Sequence, residues 1–242
     1  MGLTEPKTVG VLGGLGPEAT LDFYAKVIAL TPAQKDQDHL HLIIDSNPKV
    51  PNRNEAVAGG GPSPGPQLAE MALRLERAGA DFLVMACNAA HAFQTDIEAV
   101  ITVPFVSITK ETVRATLLEN PKLKRVGVLA SSGCLEANLY QAAFAKQGVE
   151  VLILKGTERE IFMTLLYRIK SGDKGTEVRK TMCALAKLLI SEGAEAIVAG
   201  CTEVPLVLVP NTLPCPLVDS STVLAERTVF YATHGLSEHF SS

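Results

Sequence analysis

The chain has no tryptophan, and aromatic residues make up only 5% of its 242 positions. An aromatic platform on which nucleic-acid bases stack is therefore not expected. Basic runs are missing too: 22 Lys+Arg stand against 26 Asp+Glu, giving a net charge of −4 with the signs mixed. Nothing here suits a phosphate backbone or an anionic membrane surface. No apolar run approaches the roughly 18 residues of a membrane helix. The stretch from Met1 to Thr8 has neither the charged nor the apolar region of a signal peptide. A cytoplasmic location is the expectation. The cysteines, Cys87, Cys134, Cys183, Cys201 and Cys215, are odd in number and contain no CxxC pair. That argues against a disulfide framework and against a structural zinc site. Each is then either a small buried hydrophobe or a reactive thiol.

What the chain does have is apolar material, 47% of it, enough for a sizeable core. Its length suits one large α/β domain or two small lobes. Short Val/Ile/Leu runs alternate with stretches of helical period, the pattern of βαβ units on a parallel sheet. Strands are expected at 8–12, 40–45, 82–86 and 105–108, then at 125–129, 151–154, 196–199 and 217–218. Helices are expected at 19–30, 67–78, 136–147 and 176–191, among others.

The two sets of strands correspond. Lys7-Thr8-Val9-Gly10-Val11-Leu12 resembles Lys124-Arg125-Val126-Gly127-Val128-Leu129, and Gly79 to Cys87 resembles Gly193 to Cys201. Val103-Pro104-Phe105-Val106 then resembles Cys215-Pro216-Leu217-Val218. Three matches in one order, each with its Gly or Pro, indicate a duplicated unit. Duplication predicts two similar lobes about an approximate twofold, with a cleft where the strand C-termini face each other. Cys87 and Cys201, just beyond the third strand of each unit, fall on opposite walls of that cleft.

Paired thiols carry a definite chemistry. Asn88 and Thr202 read as N-caps and Pro205 suits a first helical turn. A helix N-terminus favours the thiolate and lowers its pKa. A thiolate on one face of a carbon acid removes a proton, and a thiol on the other face returns one, so the carbon inverts. No His/Cys/Asp cluster has metal spacing, no lysine has a pyridoxal setting, and no cofactor is called for.

These residues resemble the aspartate/glutamate racemase family, in the branch nearest aspartate racemase, along nearly the whole chain. Gly13-Gly14-Leu15-Gly16-Pro17-Glu18-Ala19-Thr20 looks like the branch's opening loop, and Ser46 to Arg53 like the loop after its second strand. Cys87-Asn88 and Gly200-Cys201-Thr202-Glu203 match its two cysteine motifs, and Arg168-Ile169-Lys170-Ser171-Gly172 its lysine segment. The resemblance implies a cofactor-independent racemase of a small acidic amino acid, with Cys87 and Cys201 catalytic. Substrate would be bound by Arg53, Asn88, Ala89, Ser131, Lys170 and Thr202. It also implies a homodimer and two α/β lobes, each a parallel four-stranded sheet flanked by helices, at 1–103 plus 214–242 and at 104–213. The family's hydroxyl residue after Cys-Asn is Ala89 here, and its second threonine after strand five is Cys134.

Alternatives stay open at several positions. His91 either orients the first thiol or caps and packs; Glu203 either tunes Cys201 or favours a helix start. Cys134 is expected by the cleft edge, in a redox or packing role. Residues 59–66, rich in Gly and Pro, are either a lid or an inert loop. Gly14-Leu15-Gly16-Pro17-Glu18-Ala19 also fits a dinucleotide fingerprint with Asp45 ending the next strand, although Pro17 lacks an amide and Glu18 repels phosphate. Non-racemising readings on the same scaffold are a decarboxylase or isomerase of a dicarboxylate, or an amino-acid-binding protein; two cysteines favour racemisation.

Overall fold

Two parallel sheets of four strands organise the chain, seen in a computed structural model that describes residues 6–236. The first contains β1 (Val9–Gly13), β2 (Leu42–Ser46), β3 (Phe82–Met85) and β4 (Phe105–Val106), in the order β2-β1-β3-β4. The second contains β5 (Arg125–Leu129), β6 (Glu150–Ile153), β7 (Ala196–Ala199) and β8 (Leu217–Asp219), in the order β6-β5-β7-β8. Every expected strand is present, displaced by at most two residues at either end. The far ends of the first lobe's expected range, 1–5 and 237–242, lie outside the described residues.

Packing repeats along with topology. Val9 pairs with Phe82 in one sheet, and the corresponding Val126 pairs with Ala196 in the other. A Cβ on Gly10 would meet Leu83 Cδ2 at 2.4 Å, with Ala80 and Leu75 behind it. At Gly127 it would meet Ile197 Cδ1 at 2.6 Å, with Leu189 and Ala194 behind. The same helix-on-strand contact thus demands the same missing side chain in each copy. Strands buried on both faces read as unbroken apolar runs. Leu83 and Met85 face a core continuous with Val128 and Val198, whereas Phe82 and Val84 face Phe23, Leu224 and Ala225. Each such Leu or Phe contributes about 1.5–3 kcal/mol.

The strand pairing moves the expected lobe boundaries. β4 completes the first sheet, so the chain crosses after Val106 rather than at 103; β8 completes the second, so it returns after Asp219 rather than at 213. Val103-Pro104 and Cys215-Pro216 mark the start of a strand in each copy, and the crossing follows that strand. Helix Ile108–Glu119 then packs on the second lobe and helix Ser220–His234 on the first. Buried Glu111 joins the two helices: Tyr231 donates to its Oε1 at 3.0 Å, and Arg227 Nε lies 3.2 Å from Oε2.

One expected helix is shorter. Of residues 136–147, Leu139–Ala145 form the helix, and a separate short helix, Ser132–Glu136, precedes it across Asn138, whose backbone is left-handed at φ 53°. Asparagine tolerates that region better than other side chains do. Among the described residues, no helix is long and apolar enough to cross a membrane.

Candidate active site

A cavity of about 260 Å³ opens between the lobes. Strand geometry puts it there, since loops leaving the C-terminal ends of β1, β2, β3, β5 and β7 all converge on it. Cys87 and Cys201, two residues past β3 and β7, both line it. So do Arg53, Asn88, Ala89, Ser131, Lys170, Thr202 and Glu203. His91 does not line it.

Neither thiol heads a helix of useful length. Ala89–Phe93 and Val204–Leu206 are short 3₁₀ turns, so the expected dipole that would lower a thiol pKa is not built. Asn88 makes no side-chain cap bond, and Glu203 rather than Thr202 holds the cap position of the second turn. Burial is the main effect on Cys201 and pushes its thiol well above the ordinary value, with Glu203 adding to the rise. Cys201 Sγ–H donates to Glu203 Oε2 at 2.9 Å, and Lys170 Nζ donates to Oε1 of the same carboxylate. For Lys170, burial works against the charge, but the Glu203 and Cys201 charges outweigh it and the ammonium pKa rises.

His91 works from behind. The Ile108 amide donates to Nε2 at 3.1 Å, so Nδ1 carries the proton and donates to the Cys87 carbonyl at 2.8 Å. Burial lowers its pKa to about 4, and the ring is neutral near pH 7. It holds the backbone of Cys87 rather than the sulfur.

Arg53 is already engaged. Its Nη1 donates to the Val50 and Pro51 carbonyls at 3.1 and 3.0 Å, and Nη2 donates to Leu15 at 3.0 Å. Two of the five guanidinium N–H groups remain for a ligand. The neighbouring Asn54 Oδ1 accepts from the Gly133 amide at 2.9 Å and ties the two lobes at one rim. Lys174 and Glu18 tie them at another.

The opening Gly-rich loop serves this site. Gly14, at φ 81°, leaves no room for a Cβ beside the Asn47 backbone, and its amide donates to Thr20 Oγ1 at 2.8 Å. Thr20 in turn donates to the Gly16 carbonyl, fixing the turn. Gly16 lies against Glu203 and Lys170, where a Cβ would sit 3.2 Å from Glu203 Oε1. The dinucleotide reading loses its contacts: a key amide is occupied, and Asp45 is paired with Arg74 at 2.8 Å.

Other expectations change. Cys134 is fully buried and does not line the cavity; burial, then Cys87, raises its pKa. It fills core rather than cleft edge. None of residues 59–66 lines the cavity. Met163, Leu166 and Tyr167 do line it, and sequence reasoning missed them. They share one face of helix Gly156–Lys170 with Lys170, at helical spacing, which was the available signal. Among the described residues, no group of three or more His, Cys, Asp or Glu is placed to hold a metal.

Comparison with known proteins agrees with this geometry. The sequence profile described as Asp/Glu/Hydantoin racemase matches residues 12–228. The chain is 29% identical over 234 residues to the broad specificity amino-acid racemase RacX of Bacillus subtilis, covering 91% of this chain and 96% of that one. Among solved structures it resembles Picrophilus torridus aspartate racemase, with a TM-score of 0.83 and 27% identity over 93% of this chain and 94% of that one. An aspartate racemase homologue from Pyrococcus horikoshii gives a TM-score of 0.75 and 26% identity, over 94% and 100% respectively. A profile spanning both cysteine loops, on a duplicated fold shared with these proteins, places the chain in the Asp/Glu/hydantoin racemase family, as an isomerase of the amino-acid racemase type.

Proposed function

We propose that the protein interconverts the enantiomers of an acidic amino acid, aspartate before glutamate, by proton exchange between Cys87 and Cys201. One observation carries the reading: the two thiols stand at equivalent points of a duplicated unit and line one cavity. One cysteine, as thiolate, takes the α-proton, while the other, as thiol, delivers a proton to the opposite face. On the Cys201 side Glu203 accepts the thiol proton as the base forms. The developing enolate charge and the α-carboxylate are held by Asn88, Thr202, Ser131 and the Ala89 amide, worth several kcal/mol of the barrier. Arg53, with Lys170, meets the side-chain carboxylate. Assembly as a homodimer in the cytoplasm belongs to the same proposal.

A second reading is favoured by one observation: Arg53 spends three donors on backbone carbonyls, and Lys170 is paired with Glu203. With both cations engaged, an amino acid lacking a second carboxylate fits beside Met163, Leu166 and Tyr167. Similarity to a racemase named for broad specificity supports that range.

Proton NMR in D₂O with L-aspartate, L-glutamate or L-alanine, followed by chiral chromatography, tests both readings. Loss of the α-proton with growth of D-aspartate supports the acidic substrate; faster reaction of alanine supports the second reading. Exchange with none of the three overturns both. Under the first reading, Arg53→Ala raises KM for aspartate about 10- to 100-fold, the loss of a charge-assisted hydrogen bond. It affects alanine less, only through release of the Leu15, Val50 and Pro51 carbonyls that Arg53 holds.

A further inference from the structure

Behind the cavity, a buried chain of hydrogen bonds crosses from one lobe to the other. Tyr140, on the helix Leu139–Ala145 of the second lobe, donates its hydroxyl to Asn88 Oδ1 at 2.6 Å. Asn88 Nδ2 donates to Ser220 Oγ at 3.0 Å, and Ser220 Oγ donates to the Ala199 carbonyl at 2.7 Å. The direction of each bond is determined. The single Ser220 proton is spent on a carbonyl, so its oxygen accepts from Asn88, and the amide cannot be flipped. Tyr140 is fully buried and burial raises its phenol pKa, so the hydroxyl keeps the proton it donates to Asn88.

Tyr140 also reaches the other cysteine loop. A Cβ on Gly200 would meet Tyr140 Cε2 at 2.8 Å, so the ring lies against the residue that directly precedes Cys201. Its hydroxyl meanwhile holds the residue that directly follows Cys87. Ser220 does the same by another route, joining Asn88 to the last residue of β7, two positions before Cys201. Asn88 is left with one N–H for a ligand. Two hydroxyl groups outside the cavity lining thus connect the neighbours of both thiols.

We propose that Tyr140 and Ser220 are positioning residues that lock the two cysteine loops at a fixed separation, so that proton removal on one face is matched by delivery on the other. The proposal rests on the two-thiol reading above. Inversion needs both sulfurs in register with one carbon, and small misplacements are costly. If the loops drift, a single thiol still removes a proton and returns a deuteron from solvent to the same face. The loss of inversion then exceeds the loss of exchange.

The test uses Tyr140→Phe and Ser220→Ala in the full chain, with Thr228→Val as a control. Thr228 is equally buried and donates to the Leu224 carbonyl at 2.7 Å, away from the cavity. In D₂O, with whichever of L-aspartate, L-glutamate and L-alanine the wild type turns over fastest, inversion is followed by chiral chromatography. Deuterium in the remaining L-enantiomer is followed by mass spectrometry. Both lock variants are expected to lose inversion about 10- to 100-fold and to build up deuterium in unreacted substrate, whereas Thr228→Val does neither. A lock variant that inverts at the wild-type rate overturns the proposal. So does one that slows with the wild-type ratio of exchange to inversion, since that is loss of fold alone. Cys87→Ala and Cys201→Ala, run alongside, separate the two ideas. If either inverts normally, the two-thiol reading falls and the lock with it. If both are inactive while the lock variants match wild type, only the lock falls. Without any substrate, iodoacetamide labelling of Cys87 relative to Cys201, read by peptide mass spectrometry, is expected to change in the lock variants and not in Thr228→Val; an unchanged ratio counts against the lock.

Discussion

The walls carrying Cys87 and Cys201 share a backbone and differ in charge. Each thiol follows the third strand of its sheet by two residues, is almost fully buried, and precedes a 3₁₀ turn. Two places on, the first wall has Ala89 and the second has Glu203, which accepts from Cys201 and binds Lys170. Four places on, the first wall has His91, a neutral ring tying the Cys87 carbonyl to the Ile108 amide, and the second has Pro205. Duplication thus preserved the geometry that needs two equivalent positions. The groups around them diverged, leaving Cys201 hydrogen-bonded to a carboxylate and Cys87 on a backbone braced by His91.

The most direct way to break this comparison is to remove each sulfur. Cys87→Ala and Cys201→Ala are each expected to lower racemisation at least about 10³-fold, toward the upper range for a lost acid/base group. A single variant that retains activity would mean that the walls are not partners.

Glu203→Gln sharpens the difference. Without the carboxylate, the Cys201 proton has no acceptor, and one of the influences raising its pKa is gone. Turnover is expected to fall in both directions, and about tenfold further in the one where Cys201 is the base. KM must then shift in parallel, since an equilibrium constant of one ties the two kcat/KM values together. Equal losses of kcat with both enantiomers would assign Glu203 a purely structural place.

The Cys87 wall is tested through acid stability. His91 has its pKa lowered from 6.5 to about 4 by burial, so the folded state binds fewer protons than the unfolded state between those values. Stability is full above pH 6.5 and declines as pH falls to about 4, by about 3 kcal/mol. Urea unfolding across that window is expected to show this slope in the wild type and to lose it in His91→Gln. A wild-type curve flat between pH 6.5 and 4 would contradict the assignment.

Gly16→Ala gives the smallest effect. Its Cβ would crowd Glu203 Oε1 at 3.2 Å and Lys170 Nζ at 3.7 Å, both on the Cys201 side. A change in kcat/KM of about fivefold or less is expected, the equivalent of ~1 kcal/mol, with steady-state kinetics as the check.

Much of this was legible in the chain itself. Apolar runs with Gly and Pro punctuation marked the eight strands. The central β1, β3, β5 and β7 are mostly or wholly buried and so apolar over nearly their whole length, while the edge strands β2 and β6 are only partly buried. The repeated Gly10 and Gly127 marked the same helix-on-strand contact twice. The cysteine loops and the Gly-rich turn were local motifs, and the duplication placed both thiols at one cleft. The helix caps were misread because Asn88 and Thr202 favour a cap locally, while the fold spends the Asn88 amide on Tyr140 and Ser220 across the lobes. The same limit hid the engagement of Arg53 by three carbonyls, the Lys170–Glu203 pair and the true crossing points after Val106 and Asp219. The sequence by itself determined which elements form, that they form twice, and which cysteine, arginine and lysine motifs line the cavity, since those follow from local pattern and period. Only the tertiary structure decided the partner and protonation of each group, because burial and hydrogen bonding depend on residues far away along the chain that folding brings within 3 Å.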